Sequence, residues 1–128
     1  MDNKLEDNKR IVREWTELAI NGRKPEEAAA KYLDSNYRQH NPRAADGAEP
    51  FINFVKYFVQ TFPDFHLDLK RMIADGDLVV THSHLTRHAG DRGQAVVDIF
   101  RLEDGKIVEH WDVIQDIPET AANNNPMF

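Results

Sequence analysis

Cysteine is missing from all 128 residues. That removes thiol catalysis, disulfides and cysteine-ligated zinc together, and it fits the reducing cytoplasm in which the chain is expected. Long apolar runs are missing as well. No stretch approaches the ~18 apolar residues of a spanning helix. The polar start Met1-Asp2-Asn3-Lys4-Leu5-Glu6-Asp7 lacks a signal-peptide core, so no membrane association is expected. Positive charge is in deficit, with 16 Lys and Arg against 22 Asp and Glu and a net charge of −6. A nucleic-acid partner is not expected, because phosphate binding needs a basic face. GxGxxG, P-loop and GxSxG motifs are all absent, so nothing supports nucleotide or redox-cofactor chemistry, and no cofactor is expected.

What is present is enough for a core. Hydrophobic residues make up 41% of the chain, which argues against disorder. A length of 128 residues suits one domain, residues 1–128, with an irregular tail from about Pro118. The first half reads helical. Ile11, Val12, Trp15, Leu18 and Ala19 make one apolar stripe, and Asn21-Gly22 stops it. Pro25 opens a second short helix carrying Ala28, Ala29, Tyr32 and Leu33. A third starts near Asp46-Gly47 and ends at Pro63. Its Phe51, Phe54, Phe58 and Phe62 recur at helical spacing and read chiefly as core, as do Trp15 and Tyr32; Phe58 is also a candidate pocket wall.

The second half reads as strands. Phe65, Leu67 and Leu69 alternate with His66, Asp68 and Lys70. Asp75-Gly76 turns the chain. Leu78 to His88, Gln94 to Leu102 and Lys106 to Gln115 follow, and a short strand around Tyr37 to His40 would add a fifth. Helices first and a meander afterwards predict an α+β fold, with helices on one face of an antiparallel sheet. If the sheet curls, it encloses a pocket.

Strand register decides which polar residues share a face. A three-residue turn over Glu103-Asp104-Gly105 pairs Asp98 with His110 and Phe100 with Val108. Asp98, His110 and Asp112 then lie together. A two-residue Asp104-Gly105 turn instead puts Trp111 beside Asp98; glycine in the third loop position favours the former. A preceding hairpin symmetric about Asp91 sets His84 opposite Asp98 and His82 opposite Phe100. One face would then hold His82, His84, Asp98, His110 and Asp112. Three readings apply: a solvated stripe of an antiparallel sheet, a partly apolar pocket with acid–base groups, or a metal site built on His82-x-His84 and Asp98. The pocket is preferred and no metal is expected to be required. Val97, Ile99, Ile107 and Trp111 would alternate to the other face. His40 could face a pocket mouth, while His66 and His88 read as exposed.

The segments Tyr37-Arg38-Gln39-His40-Asn41-Pro42 and Phe62-Pro63-Asp64-Phe65, and above all Asp98 through Asp112, resemble the SnoaL-like polyketide cyclase family of the nuclear-transport-factor-like superfamily. The resemblance covers roughly residues 8 to 117. It implies a cone-shaped, mostly antiparallel curved sheet packed on three N-terminal helices around a cavity, and a homodimer through the outer sheet face. It also implies cofactor-independent intramolecular aldol chemistry on a small hydrophobic carbonyl compound, with isomerase and dehydratase outcomes close by. Asp98 and His84 match the family's catalytic positions. His82, His110, Asp112, His40, Phe58 and Phe100 are the expected substrate contacts. A non-catalytic small-molecule binder and a structural dimerisation domain are the rival functions.

Overall fold

The computed structural model describes residues 3–128. Helix α1 spans Lys4–Thr16 and continues as a π-helical turn through Glu17–Asn21. Glu6 and Asp7 lie in its first turn, where the positive end of the helix dipole favours acids. The apolar stripe buries Ile11, Val12 and Trp15. Asn21 ends the π turn by bonding like a neighbouring strand. Its Nδ2 donates to the Leu67 carbonyl at 2.9 Å, and its Oδ1 accepts from the Leu67 N–H at 2.9 Å. Helix α2 covers Pro25–Tyr32 and α3 covers Ala48–Thr61, on either side of strand β1, Leu33–Gln39. Four further strands follow: β2 His66–Asp75, β3 Leu78–Thr86, β4 Gln94–Glu103 and β5 Lys106–Asp116.

The sheet order is β1-β5-β4-β3-β2. Only the β1–β5 pair is parallel; the other three are antiparallel. The architecture is therefore the expected α+β fold, three helices against one face of a curved, mostly antiparallel sheet. Val12, Trp15, Ala19, Ala28 and Tyr32 from the helices pack on Val79, Phe100, Leu102 and Ile107 from the sheet. Leu102 and Ile107 are each 1% exposed, so truncating Leu102 to Ala would cost about 2–5 kcal/mol.

Two registers differ from the sequence reading. The β4–β5 turn is the two-residue Asp104-Gly105 type, with both φ angles positive at +49° and +79° and Glu103 opposite Lys106. This geometry matches the twist of the flanking strands. The ladder then shifts between Arg101 and Leu102. Leu102 pairs with Ile107 but Arg101 pairs with Glu109, so Val108 is the extra residue of a bulge. Beyond it, Phe100 faces His110 and Asp98 faces Asp112. The bulge also lets Ile107 and Val108 both be buried, so Ile107 belongs to the core and not to the outer face.

In the β3–β4 hairpin the centre falls between Ala89 and Gly90, not at Asp91. Leu85 pairs with Gln94, His84 with Ala95, His82 with Val97 and Thr81 with Asp98. The offset from the expected register is an odd number of residues, so the faces exchange. His82 and His84 therefore project from the side of the sheet opposite Asp98. The loop itself explains the offset, because it closes asymmetrically on the Asp91 carboxylate. That carboxylate accepts from the Arg87 N–H at 2.9 Å, the Arg87 guanidinium at 3.0 Å and the Gly93 N–H at 3.1 Å. No helix or strand follows Asp116, yet the tail does not simply leave the fold: Phe128 packs on the outer sheet face against His82 and His84, with ring centroids 5.3 and 4.7 Å apart.

Candidate active site

A cavity of about 170 Å³ opens between α3 and the inner sheet face. Its walls are apolar over most of their extent. Trp15 and Ile20 come from α1 and its π turn, Phe51, Phe54, Val55 and Phe58 from α3, and Leu67, Leu85 and Val96 from the sheet. Trp15 packs on Phe51 at 4.8 Å. The π turn widens the end of α1 where Thr16 and Ile20 meet the cavity, a recurrent use of such turns.

Polar groups gather at one end. Asp98, His110 and Asp112 line the cavity together with Gln39 and Asn41. Asp98 Oδ1 lies 2.8 Å from His110 Nε2. This contact runs diagonally across the ladder, since the residue directly opposite Asp98 is Asp112. Facing carboxylates repel, and each has a different partner here. His110 takes one side of Asp98. Asn41 Nδ2 donates to both oxygens of Asp112, at 3.1 and 2.8 Å. Behind His110, its Nδ1 lies 2.7 Å from Gln39 Oε1. Gln39 Nε2 in turn donates to the Tyr37 hydroxyl at 2.9 Å. Burial, together with the charges of Asp98 and Asp112, pushes the Tyr37 phenol well above its ordinary value, so Tyr37 remains a neutral hydroxyl.

Strand β1 positions this second layer. It runs beside β5 with Gln39 next to His110, and the His40 N–H donates to the His110 carbonyl at 2.9 Å. Alternation sends Tyr37 and Gln39 inward and His40 outward. There His40 stacks on Trp111 at 4.7 Å and bonds to Glu109 at 2.6 Å. Hydrogen bonds from His40, then Arg101, hold the Glu109 carboxyl below its usual range.

The expected site residues thus separate into two groups. Asp98, His110, Asp112 and Phe58 reach the cavity. Phe100 is buried directly beneath, 4.9 Å from the His110 ring, and supports it rather than meeting the cavity. His84, expected beside Asp98, bonds to the Arg92 carbonyl at 2.8 Å. His82 contacts Arg71, and His40 lies on the outer face. His66 and His88 are exposed, as expected. The residues sequence reading passed over are Gln39 and Asn41, one position either side of His40. The strand alternation of Tyr37 and Gln39 was the signal that could have found them.

The alternative metal reading fails at its ligands, because His82 and His84 do not gather around Asp98. The donor atoms that do converge are those of Asp98, His110 and Asp112, within 4.8 Å of one another. Each of the three is already hydrogen-bonded within the protein.

A pocket of this kind, apolar with a carboxylate–imidazole pair at its polar end and walled by a curved sheet and helices, defines a small-molecule-binding α+β class. Within it, residues 9–122 match the model of the SnoaL-like polyketide cyclase family, and the chain belongs to that family. Among solved structures, TsrD from Streptomyces laurentii is similar at 25% identity and a TM-score of 0.72, over 89% of this chain and 90% of that one. A provisionally assigned ketosteroid isomerase from Kribbella flavida is 24% identical with a TM-score of 0.72, over 97% and 89%. AclR from Streptomyces galilaeus, a provisionally assigned hydroxylase, is 20% identical with a TM-score of 0.71, over 87% and 90%. These last two likenesses concern the fold alone. No curated protein matches significantly. Among the described residues no helix is long and apolar enough to cross a membrane.

Proposed function

We propose that this chain is a cofactor-independent enzyme that removes a proton next to a carbonyl of a small, largely apolar molecule. The observation that carries the reading is the 2.8 Å Asp98–His110 pair at the polar end of an apolar cavity. Asp98 is the base. Its Oδ1 is held by His110, and among the described residues nothing occupies Oδ2. The substrate C–H bond breaks, its proton passes to Oδ2, and its electron pair forms an enolate. His110, 2.8 Å from Oδ1, holds the carboxylate in place for this transfer. In an intramolecular aldol condensation, the favoured outcome, the enolate carbon attacks a second carbonyl and the resulting alkoxide recovers the proton from Asp98. Isomerisation and dehydration are other fates of the same enolate. No oxidant or reductant is consumed.

The cavity limits the substrate. At about 170 Å³ it sits near the ~150 Å³ that accepts a benzene and below the ~300–1,000 Å³ of pockets for drug-sized ligands. The enclosed part of the substrate is therefore about one ring, with the remainder at the mouth near Arg43 and Ala44. The outer sheet face supports a homodimer. Val113 and Ile73 are 68% and 60% exposed there, and Val97, Ile99 and Trp111 are only half-buried beside them. Such a patch on a lone chain commonly marks an interface.

The test is deuterium wash-in from heavy water into a panel of cyclic ketones and β-diketones, followed by NMR, with and without a chelator. Exchange at the α-carbon that survives chelation supports the reading. Tight binding of panel members without any exchange overturns it in favour of a binding protein of the same fold.

A further inference from the structure

We infer that Gln39 is the positioning residue of this site: it holds His110 with a proton on Nδ1, so that the contact between His110 and Asp98 must contain a proton of its own. The inference rests on the reading of Asp98 and His110 as the reacting pair and deepens it. A glutamine amide can be built either way round, so its orientation has to come from its neighbours. Here the deciding neighbour is a backbone group. The Asn41 N–H lies 3.1 Å from Gln39 Oε1. A backbone N–H can only donate, so the atom it meets is the amide oxygen.

That orientation propagates. The same oxygen lies 2.7 Å from His110 Nδ1, and an oxygen already facing one donor can bond to Nδ1 only if that nitrogen carries hydrogen. The opposite end of the amide meets the Tyr37 hydroxyl at 2.9 Å, which accepts from it. The chain is ordered from Asn41 through Gln39 to the ring with no freedom to reverse. Were Nδ1–H the only ring proton, Nε2 would aim a lone pair at Asp98 Oδ1 from 2.8 Å. Two bare acceptors do not sit at that separation. A second proton therefore lies between them, on the imidazole or on the carboxyl.

The chemistry follows from the count. Without Gln39, a neutral ring turns its single proton toward Asp98 and leaves Nδ1 bare, and the pair can accept a proton but has none to spare. With Gln39, the pair keeps one proton beside the base throughout. The enolate forms next to a shared proton, and the alkoxide of the second half-reaction finds a donor in place. Gln39 acts through His110 and touches no reacting atom.

The test is nitrogen-15 NMR of histidine side chains in the full chain near pH 7, with the His110 signals identified by their loss in His110→Gln. In the parent, Nδ1 should show a protonated-nitrogen shift. In Gln39→Leu that signature should pass to an unprotonated Nδ1. In Gln39→Glu, which keeps an acceptor oxygen, it should return. On any ketone the parent processes, Gln39→Leu should lower kcat on the order of 10–100-fold with KM little changed, the scale seen when a partner that orients a histidine from behind is lost, and Gln39→Glu should recover part of it. An unprotonated Nδ1 in the parent, or a protonated one in a folded Gln39→Leu, overturns the inference. Because the nitrogen shifts are read without substrate, a parent with the expected signature that exchanges no ketone proton refutes the enzyme reading alone and leaves the role of Gln39 supported.

Discussion

Replacing Asp98 by asparagine separates chemistry from architecture, because the two depend on different properties of the carboxylate. Asn keeps the shape and can keep an oxygen toward His110 Nε2, now 2.8 Å from Asp98 Oδ1, but it cannot take a proton from carbon. A positioned general base contributes about 10²–10⁴-fold, or roughly 3–5 kcal/mol of barrier at 1.36 kcal/mol per decade. Exchange should fall by that factor. The stability change is smaller and has two opposing parts. A hydrogen bond to an ionised group is worth about 1.5–3 kcal/mol against about 1 for a neutral one, so roughly 1 kcal/mol is lost. Asp98 also stands directly opposite Asp112, and removing its charge relieves a cross-strand repulsion of comparable size. The melting temperature should therefore move by no more than about 5 °C. His110→Gln, which removes the imidazole and leaves the base, should slow exchange less, on the order of 10-fold, because it loosens the carboxylate without removing it. The assay is deuterium wash-in on a ketone that the parent processes, with thermal denaturation alongside. Exchange by Asp98→Asn within tenfold of the parent would refute the assignment of Asp98 as the base.

Sedimentation at micromolar concentration should give a mass near twice 14.8 kDa, and Val113→Asp, which places a charge on the outer patch, should shift the population toward monomer; a parent that sediments as a monomer removes the dimer. Gly93→Ala should destabilise by at least about 2 kcal/mol in urea unfolding, because Gly93 has φ +74° and an added Cβ would overlap the Leu85 carbonyl oxygen. The Asp91 carboxyl is held far below its ordinary range, chiefly by the Arg87 side chain and then by the Arg87 N–H. A depressed folded-state value stabilises above the unfolded value of about 3.9 and is lost as pH falls through the folded one. The melting-temperature advantage of the parent over Asp91→Asn should thus be full at pH 6–7 and shrink as pH drops below about 4; an advantage that grows with acid contradicts this.

The elements were legible wherever a periodic apolar pattern met a clear stop. Helix α3 shows both, with phenylalanines at helical spacing and Pro63 two residues past its last residue, Thr61. Strand β1 was only half legible. Its first part, Asp34-Ser35-Asn36, reads as a loop because these residues are half-buried or exposed, and the β1–β5 register is itself broken between Leu33 and Arg38. A parallel edge pair leaves little trace in side-chain pattern, since what it satisfies is main-chain hydrogen bonding. The π turn after α1 left none at all. It is stabilised from outside, by Asn21 on the Leu67 backbone, a contact 46 residues away in sequence.

The site was harder than the fold because side chains on a strand alternate with period two, so an error of one residue in a turn exchanges faces while an error of two is silent. At the β4–β5 hairpin two odd offsets add to an even one. The turn is one residue shorter than expected, and the Val108 bulge shifts the ladder by one more residue in the same direction, so Asp98 faces Asp112 instead of His110 while all three still share one face. At the β3–β4 hairpin a single odd offset survives. It comes from Asp91, which collects the Arg87 and Gly93 donors and so closes the loop off centre. That offset carries His84 to the outer face and leaves Thr81 opposite Asp98. Of the two imidazoles expected beside Asp98, only His110, from the other neighbouring strand, makes the contact. An imidazole arriving from β5 rather than β3 lies next to β1, where Gln39 can reach its far nitrogen. The second layer of hydrogen bonds behind the reacting pair therefore rests on the β4–β5 and β1–β5 ladders, which the face exchange at β3–β4 does not touch.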